Sequence, residues 1–516
     1  MPVPVLIGIA DIKNRSEEVI EPLELMLSAI HAALLDTSLP VSEISDLQSS
    51  IDSISVVNTW TWRYSDLPTL ISQRLGLEAS VGGEKEKGRE VYRELSHHGG
   101  DSPVRMVDEA ARRIARGECR LGVVVGGEAL GSLSQLKGKK PQGWTEEDKS
   151  ARGVSVSDLE GVGDSKRHKI GLPIHIYPLY ENAFRAHRNQ SLYDNHAESA
   201  ELYARFAKVA EKNPVAWNFG TPAKTKEEIG AVGKANRMIC YPYPLLMNAF
   251  NNVNLAAACV LTSVEFAREL GIDESRWIYP LGGAGTSDSE RFWERPNFYE
   301  SPSISRSLDA GLEAAGLRKD DVDMFDFYSC FPIVPKLACQ HLGIPITKYE
   351  KPITLLGGLT SFGGAGNNYS MHALTAMVRE LRKGKIRNGL VLANGGVATY
   401  QHVICLSNRP RSSPYPTENP LPGLLEDGSV PEIDEIAEGE AVIETYTVEF
   451  GRDGKPKRGF VVGRLKENGH RFVANEADEV SLKQLASDLR EPIGRSGWVS
   501  NRDGRNVFRF DLEGKL

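Results

Sequence analysis

The stretch GGAGNNYSMHAL, from Gly363 to Leu374, predicts a glycine-rich loop that runs into a helix. Such a junction presents backbone N–H groups to an anion or to a carbonyl oxygen. A similar stretch, HHGGDSPVRMVDEA, occupies residues 97–110. In both places the helix is followed by a glycine, an apolar strand (LGVVV at Leu121, LVLA at Leu390) and a diglycine. The sequence therefore carries the same loop–helix–strand unit twice.

A second repeat lies upstream of each unit. The helical pattern LELMLSAIHAALLD precedes IDSISVV at Ile51, and RSLDAGLEAAGL precedes VDMFDFY at Val322. Strands that are apolar nearly throughout and alternate with amphipathic helices predict an α/β protein whose sheets are covered on both faces. In a chain of 516 residues, the duplication predicts two similar halves with a site between them. The alternative is that any α/β chain shows loop–helix–strand patterns of this similarity without a duplication.

Five regions are expected along the chain. Residues 1–130 and 241–408 are the two halves, and residues 131–240 form an inserted loop domain that includes an amphipathic helix ended by Asn213-Pro214. Residues 409–432 are rich in proline and predict a linker. Residues 433–516 predict a small OB-like β domain, with an ordinary β appendage lacking any ligand as the alternative.

The β domain is predicted from its turns. Alternating strands are separated by dipeptides that favour type I′ hairpins, namely Asp453-Gly454, Asn468-Gly469 and Asp503-Gly504. The domain lacks the interleaved basic and aromatic residues of single-stranded nucleic-acid binders, so nucleic acid is not an expected partner.

Composition narrows the class of protein. With 41% hydrophobic and 25% charged residues, the chain has an ordinary globular composition, and its net charge of −8 argues against a broad nucleic-acid-binding surface. Six cysteines without CxxC spacing predict a reduced cytoplasmic protein with no metal site. The longest apolar runs have strand length, so no membrane span is expected. The ending Gly514-Lys515-Leu516 resembles a peroxisomal targeting signal with glycine in place of serine, so the peroxisome stays open as an alternative to the cytoplasm.

The two loop–helix units, the inserted domain and the strand ending in DFYSCFP (Asp326 to Pro332) together resemble the thiolase superfamily. The resemblance is strongest to sterol-carrier-protein thiolases and to thiolase-like proteins named acetyl-CoA acetyltransferases, and the β domain resembles the extra C-terminal domain of type-1 thiolase-like proteins. It implies a duplicated thiolase fold with layers α/β/α/β/α and a role in lipid metabolism. It also implies a coenzyme A (CoA) thioester as substrate or ligand, with no tightly bound cofactor. Whether the chain is a monomer, a homodimer or bound to a partner protein stays open.

Three groups that the resemblance implies for thiolase catalysis are missing. The position of the nucleophilic cysteine falls near Gly100, with Ser102 close by. The position of the activating histidine is Gly364, and that of the second cysteine lies near Asn394-Gly395. The Claisen mechanism is therefore not expected.

Several polar residues remain as candidate catalytic groups. Tyr328, Ser329 and Cys330 follow a strand, where ligands of α/β folds usually bind. His402 follows the second diglycine and His372 lies in the second helix, so either of them or Tyr328 could act as acid or base, with Cys330 as nucleophile. Each also has a structural interpretation, because histidines, tyrosines and free cysteines are common in protein cores. The pair His97-His98 precedes the first loop and is a further candidate.

Two binding sites follow from the same reasoning. Gly363, Gly364 and Asn367 are predicted to form an oxyanion hole. Arg185 and Arg188, together with Ser102, are assigned to the CoA site, with a solvated basic face as the alternative for the arginines.

The predicted function is an acyltransferase or thioester hydrolase that acts on a CoA thioester without the usual nucleophilic cysteine. The alternative is a non-catalytic protein that binds acyl-CoA or lipid, or that serves as a scaffold for a partner.

Overall fold

The structure is a computed structural model that describes residues 1–77, 90–151, 164–426, 428–487 and 489–510. The tripeptide Gly514-Lys515-Leu516 lies outside the described residues. The strands, numbered in chain order, are β1 (Pro4–Lys13), β2 (Ser53–Val56), β3 (Tyr92–Leu95), β4 (Leu121–Ala129), β5 (Met238–Cys240), β6 (Tyr243–Pro244), β7 (Asn254–Ser263), β8 (Tyr279–Ser287), β9 (Met324–Phe327), β10 (Asn388–Gly395), β11 (Tyr400–Ser407), β12 (Gly439–Phe450), β13 (Pro456–Leu465), β14 (Arg471–Glu476), β15 (Ser496–Arg502) and β16 (Arg505–Arg509).

The helices of the described residues surround these strands. The α-helices span Pro22–Leu35, Val41–Ser49, Leu67–Arg74, Ser102–Ala115, Leu130–Leu136, Asp164–His168, Pro173–His187, Leu192–Lys212, Lys226–Gly230, Val264–Glu269, Pro302–Ala315, Ile333–Leu342, Gly358–Ser361, Tyr369–Arg382 and Glu479–Leu485. Short 3₁₀ turns span Leu245–Met247, Glu274–Arg276, Lys319–Asp321 and Gly366–Asn368. In the part of the chain that the structure describes, no helix has both the length and the apolar character that crossing a membrane requires.

Two core sheets carry the predicted duplication. The first has the strand order β1-β7-β4-β2-β3 and the second has the order β8-β11-β10-β9. In each sheet the strand after a repeat helix pairs in parallel on one side and antiparallel on the other: β4 with β2 and β7, and β10 with β9 and β11. The predicted duplicated α/β fold is therefore confirmed.

The two repeat helices lie between the sheets. The first-repeat helix (Ser102–Ala115) contacts β4 and β7 of one sheet and β8, β10 and β11 of the other, and it also contacts the second-repeat helix (Tyr369–Arg382). Their apolar positions are buried, apart from the half-buried Ala376, because helical spacing places them on the faces that meet the sheets. The loop in front of each helix consequently opens at one common place, between the halves.

The inserted region is mainly helical and meets the C-terminal domain. Its long helix Leu192–Lys212 ends at the predicted Asn213-Pro214. Its short hairpin β5–β6 adds to β12, with Cys240 opposite Glu449. The insertion and the C-terminal domain therefore share one sheet.

The C-terminal domain is a small closed barrel, as predicted. Its strands pair in the cyclic order β12-β13-β14-β16-β15 and back to β12, with the helix Glu479–Leu485 between β14 and β15. One detail of the turn prediction is wrong. Both residues of Asp503-Gly504 have the positive φ of a type I′ turn, but in the other two dipeptides only the glycine does. Those two turns are longer, with hydrogen bonds from Gly451 N–H to the Lys455 carbonyl and from Gly469 N–H to the Leu465 carbonyl.

Candidate functional site

A cavity of about 1010 Å³ lies where the two glycine loops meet. Four segments of the duplicated halves bring polar residues to its lining: His98 to Gly100, Tyr328 and Cys330, Gly366 and Asn367, and Asn394 to Gly396. Aromatic and aliphatic side chains form much of the remaining wall, among them Trp60, Ile174, Tyr177, Phe292, Trp293, Phe331 and Ile433. The cavity combines an apolar chamber with a few converging polar groups, which is typical of small-molecule sites.

The Tyr328 side chain fills the space next to Gly100. A Cβ atom at Gly100 would lie 2.7 Å from the Tyr328 hydroxyl oxygen and 2.5 Å from the carbonyl oxygen of Asn394. The Tyr328 ring packs edge-on against Tyr369, with ring centroids 5.3 Å apart. Burial raises the pKa of the Tyr328 phenol well above its usual value. A neutral phenol therefore occupies the place where the resemblance expects a cysteine.

Cys330 also lines the cavity, but its thiol is not activated. Burial raises the pKa of Cys330 to about 12, so the thiol stays protonated at neutral pH. The Asn394 side chain lies nearby, with its amide nitrogen 3.9 Å from the sulfur. This amide also donates to the Tyr177 hydroxyl at 2.9 Å, and the same hydroxyl accepts from the Ala398 N–H at 2.9 Å. Tyr177 of the inserted region therefore holds the loop that follows β10.

Asn367 orients His98. The Asn367 Oδ1 accepts from Trp60 Nε1 at 2.7 Å, and Nδ2 donates to the Asn58 carbonyl oxygen at 2.8 Å and lies 3.0 Å from His98 Nδ1. An indole N–H can only donate, so the amide nitrogen must face the histidine, and Nδ1 must accept. The other ring nitrogen, Nε2, lies 3.3 Å from the Asn58 side-chain nitrogen, so the side chains of Asn367 and Asn58 hold the ring from both sides.

The two glycines predicted for the oxyanion hole lie outside the cavity lining. The Gly364 N–H donates to the Phe250 carbonyl oxygen at 2.7 Å and is already used. Gly363 has a φ of +115°, and a Cβ atom there would meet Val253 at 2.9 Å. Of the three predicted residues, the structure brings Asn367 to the lining, accompanied by Gly366.

Three predicted catalytic residues, Ser329, His372 and His402, also lie outside the cavity lining. Ser329 is buried, and its backbone oxygen accepts from the Tyr203 hydroxyl at 3.0 Å. His372 donates from Nδ1 to Asp11, which also accepts from Thr375 at 2.8 Å. These contacts belong to the core of the protein rather than to the cavity.

His402 likewise belongs to a buried ionic cluster. Its Nε2 donates to Asp108 at 2.8 Å, and the same carboxylate accepts from Arg112 at 2.8 Å and from the Tyr415 hydroxyl at 2.6 Å. Burial opposes ionisation of Asp108, but hydrogen bonds and positive charge from His402 and Arg112 outweigh it and lower the pKa to about 2. The cluster therefore ties the first-repeat helix, β11 and the linker together.

The residues assigned to CoA are engaged elsewhere. Arg185 is fully buried and pairs with both oxygens of Glu491, and Arg188 pairs with Glu198 at 2.9 and 3.2 Å. Ser102 is buried at the start of the first-repeat helix, where its hydroxyl donates to the His97 carbonyl oxygen at 3.2 Å.

The charged residues on the described cavity lining are mostly acidic. They are Glu290, Arg291, Glu294 and Glu435. Arg291 pairs with Glu294 at 2.9 Å, and Glu435 pairs with Arg167 at 2.7 Å. On the part of the cavity lining that the structure describes, an anionic ligand would therefore meet no cationic side chain without a carboxylate partner.

Sequence reasoning missed Trp60 and Tyr177. Trp60 follows β2, so the rule that singled out Tyr328 at the end of β9 would have found it if applied to every strand. Tyr177 carries no comparable signal, because its hydroxyl meets Ala398, a residue 221 positions away.

Comparisons with known proteins fit this geometry. The family model described as "Thiolase-like protein type 1 additional C-terminal domain" matches residues 420–505. The crystal structure of a monomeric SCP2-thiolase like protein type 1 (STLP1) from Mycobacterium smegmatis is 30% identical, covers 99% of each chain and has a TM-score of 0.79. The chain belongs to the SCP2-thiolase-like protein type 1 family.

More distant structures share the thiolase fold of this type-1 thiolase-like protein. The Ltp2-ChsH2(DUF35) aldolase is 18% identical, over 79% of this chain and 98% of that chain, with a TM-score of 0.58. The Acat5 thiolase from Ascaris suum in complex with coenzyme A is 14% identical, over 78% of this chain and 99% of that chain, with a TM-score of 0.53. No curated protein matches the sequence.

Proposed function

We propose that this type-1 thiolase-like protein acts on the carbonyl group of an acyl thioester without forming a covalent acyl-enzyme. The observation that carries the proposal is the Tyr328 phenol in the space beside Gly100. A cysteine side chain at position 100 would collide with this phenol, and the thiol of Cys330 has a pKa of about 12. The site therefore favours hydrogen-bond donation to a substrate over nucleophilic attack by the protein.

Tyr328 and His98 are the proposed donors to the substrate carbonyl. The phenol is neutral at physiological pH. In the proposed mechanism Asn367 holds the His98 Nδ1 as an acceptor, Nε2 carries the ring proton, and the Asn58 side chain 3.3 Å away turns its amide oxygen toward Nε2. Two fixed donors in a mainly apolar cavity stabilise negative charge on a carbonyl oxygen more strongly than water does. An acceptor then attacks the acyl carbon directly, the C–S bond breaks, and the acceptor's proton ends on the departing thiol.

The second candidate is a non-catalytic acyl-binding protein. It is favoured because the Tyr328 phenol and the Cys330 thiol both meet the cavity in their protonated forms at neutral pH. On the part of the lining that the structure describes, the carboxylates of Glu294 and Glu435 pair with arginines, and that of Glu290 accepts from the Tyr400 hydroxyl. Such a site holds a carbonyl oxygen well, but each of these carboxylates already has a partner in the protein.

The test uses acetyl, octanoyl and palmitoyl thioesters of CoA and of N-acetylcysteamine, a thiol without charge. Free thiol is followed by absorbance, and the protein by intact mass. We expect the wild type and Tyr180→Phe to release thiol without an adduct, and Tyr328→Phe to be about 100-fold slower. Tyr180 is the matched control, because its hydroxyl is buried without a partner and does not line the cavity.

Each outcome separates the candidates. An acyl adduct on Cys330 contradicts the non-covalent mechanism. Binding without thiol release, measured by calorimetry, supports the non-catalytic candidate. Neither binding nor release across the panel contradicts both.

A further inference from the structure

The C-terminal domain supplies part of the cavity wall. Ile433 and Glu435, which lead into the barrel, line the cavity. Their segment joins the edge of β14: the Asp434 N–H donates to the Arg471 carbonyl oxygen at 2.9 Å, and the Arg471 N–H donates to the Glu432 carbonyl oxygen at 2.7 Å. Ile433 also packs against the main core of the two halves. The barrel therefore fixes the position of an aliphatic side chain on the cavity wall.

Arg471 holds a second part of the wall. Its fully buried guanidinium pairs with Glu444 at 2.6 Å and donates to the carbonyl oxygens of Trp293 at 2.6 Å and Pro296 at 3.2 Å. The loop that carries these carbonyls also brings the side chains of Phe292 and Trp293 to the cavity. A planar guanidinium with several fixed donors holds such a loop in one geometry.

The helix Pro173–His187 forms a third part and also rests on the barrel. Thr445 donates to the Leu179 carbonyl oxygen at 2.6 Å, and Asn182 donates to the Tyr446 carbonyl oxygen at 2.9 Å. This helix contributes Ile174, Ile176 and Tyr177 to the cavity.

We infer that the C-terminal barrel belongs to the acyl-binding site and that Ile433 limits the size of the acyl group the site accepts. The inference rests on the proposed function. At about 1010 Å³ the cavity is at the upper end of the range for small-molecule pockets, which suits a long or multi-ring acyl group better than acetyl. Arg471 is a positioning residue that keeps the wall formed by Phe292 and Trp293 in place.

The test compares Ile433→Trp with Ile436→Trp. Ile436 is 64% exposed and does not line the cavity, so it controls for the added indole. Binding of acetyl, octanoyl and palmitoyl N-acetylcysteamine thioesters is measured by calorimetry. We expect Ile433→Trp to weaken palmitoyl binding about tenfold or more, with acetyl binding changed less than about twofold, because only the longer chain needs the filled volume. The Ile436→Trp variant should match the wild type.

An uncharged apolar dye, Nile red, provides a reading that does not depend on thioesters. If Ile433→Trp excludes Nile red and Ile436→Trp does not, Ile433 is shown to form part of the cavity wall even when no thioester binds. In that case only the proposed function fails. If Ile433→Trp leaves both the chain-length profile and dye binding unchanged, the inference is overturned. If the folded wild type binds neither thioester nor dye, both proposals are overturned.

Discussion

The Tyr328 hydroxyl oxygen lies 2.7 Å from the point at which a side chain on Gly100 would begin. Real Cβ contacts are not that short, and the Asn394 carbonyl oxygen, at 2.5 Å from the same point, is backbone that cannot rotate away. The absence of a cysteine at position 100 and the presence of a phenol at position 328 are therefore sterically linked. Restoring the cysteine alone should not restore thiolase chemistry.

We expect Gly100→Ala to lower the free energy of unfolding by about 1–3 kcal/mol, because the added methyl overpacks a closed site. Gly233→Ala is the control, since a Cβ atom there meets nothing within 4 Å. Denaturant unfolding measures both variants. Equal stability of Gly100→Ala and the wild type would mean that the site has room for a side chain at position 100.

Cys330 should resist alkylation at neutral pH. With a pKa of about 12, its thiolate fraction at pH 7 is about 10³-fold smaller than that of an ordinary free cysteine. Iodoacetamide should therefore modify the native protein about 10³-fold more slowly than a cysteine peptide, and the rate should rise as pH approaches 12. Intact-mass time courses give the rates, and Cys330→Ala identifies the site. Rapid single labelling that Cys330→Ala abolishes would show an activated thiol.

Removing the Asp108 carboxylate should destabilise the fold. Asp108→Asn leaves the buried Arg112 without its counter-charge, so we expect a loss of about 3–5 kcal/mol at pH 7. Asp309→Asn is the control, because Asp309 is an exposed partner of His341 and its loss should cost about 1 kcal/mol or less.

The same residue predicts a pH dependence. The folded pKa of about 2 lies below the ordinary value of 3.8, so the Asp108 contribution is present above about pH 4 and is lost as pH falls through 2. Denaturant unfolding at pH 7, 4 and 3 should show that the difference in free energy of unfolding between the wild type and Asp108→Asn becomes smaller as the pH falls. A difference that does not change with pH would contradict the assigned charge state of Asp108.

Arg471→Gln should loosen the cavity wall while Arg464→Gln should not. Both arginines pair with Glu444, but Arg471 is buried and also reaches the carbonyls of residues 293 and 296. We expect Arg471→Gln to lower the free energy of unfolding by about 3–5 kcal/mol and to speed amide hydrogen exchange in residues 292–296. Arg464→Gln should change stability by about 1 kcal/mol or less. Unchanged exchange in Arg471→Gln would remove its positioning role.

The fold could be predicted because its signals are local. The apolar spacing of the repeat helices and the glycines that precede them recur within short windows, and the Gly-containing turns mark the barrel strands. Site residues could be predicted only where a strand end or a loop determines where the side chain points. Tyr328 and Asn367 lie at such places and reach the cavity.

Side chains inside regular elements were harder to assign. His402 lies opposite Gly285 of the neighbouring strand and faces Asp108, a partner 294 residues away. Arg185 is neutralised by Glu491, which is 306 residues away. A single sequence shows that such residues exist, but not which distant carboxylate they meet.

The shared sheet of insertion and barrel sets an order of events during synthesis. Strand β5 pairs with β12, whose residues follow some 200 positions later, and Ile433 reaches the cavity from that same late segment. At roughly 5–20 residues per second, the ribosome needs about 10–40 s to make the stretch between them. The second half ends with β11 at Ser407, so the two halves can dock only in the last part of that interval, while β5 and the apolar chamber are still uncovered. The nascent chain is therefore most exposed to aggregation after its two halves have docked and before its barrel has closed.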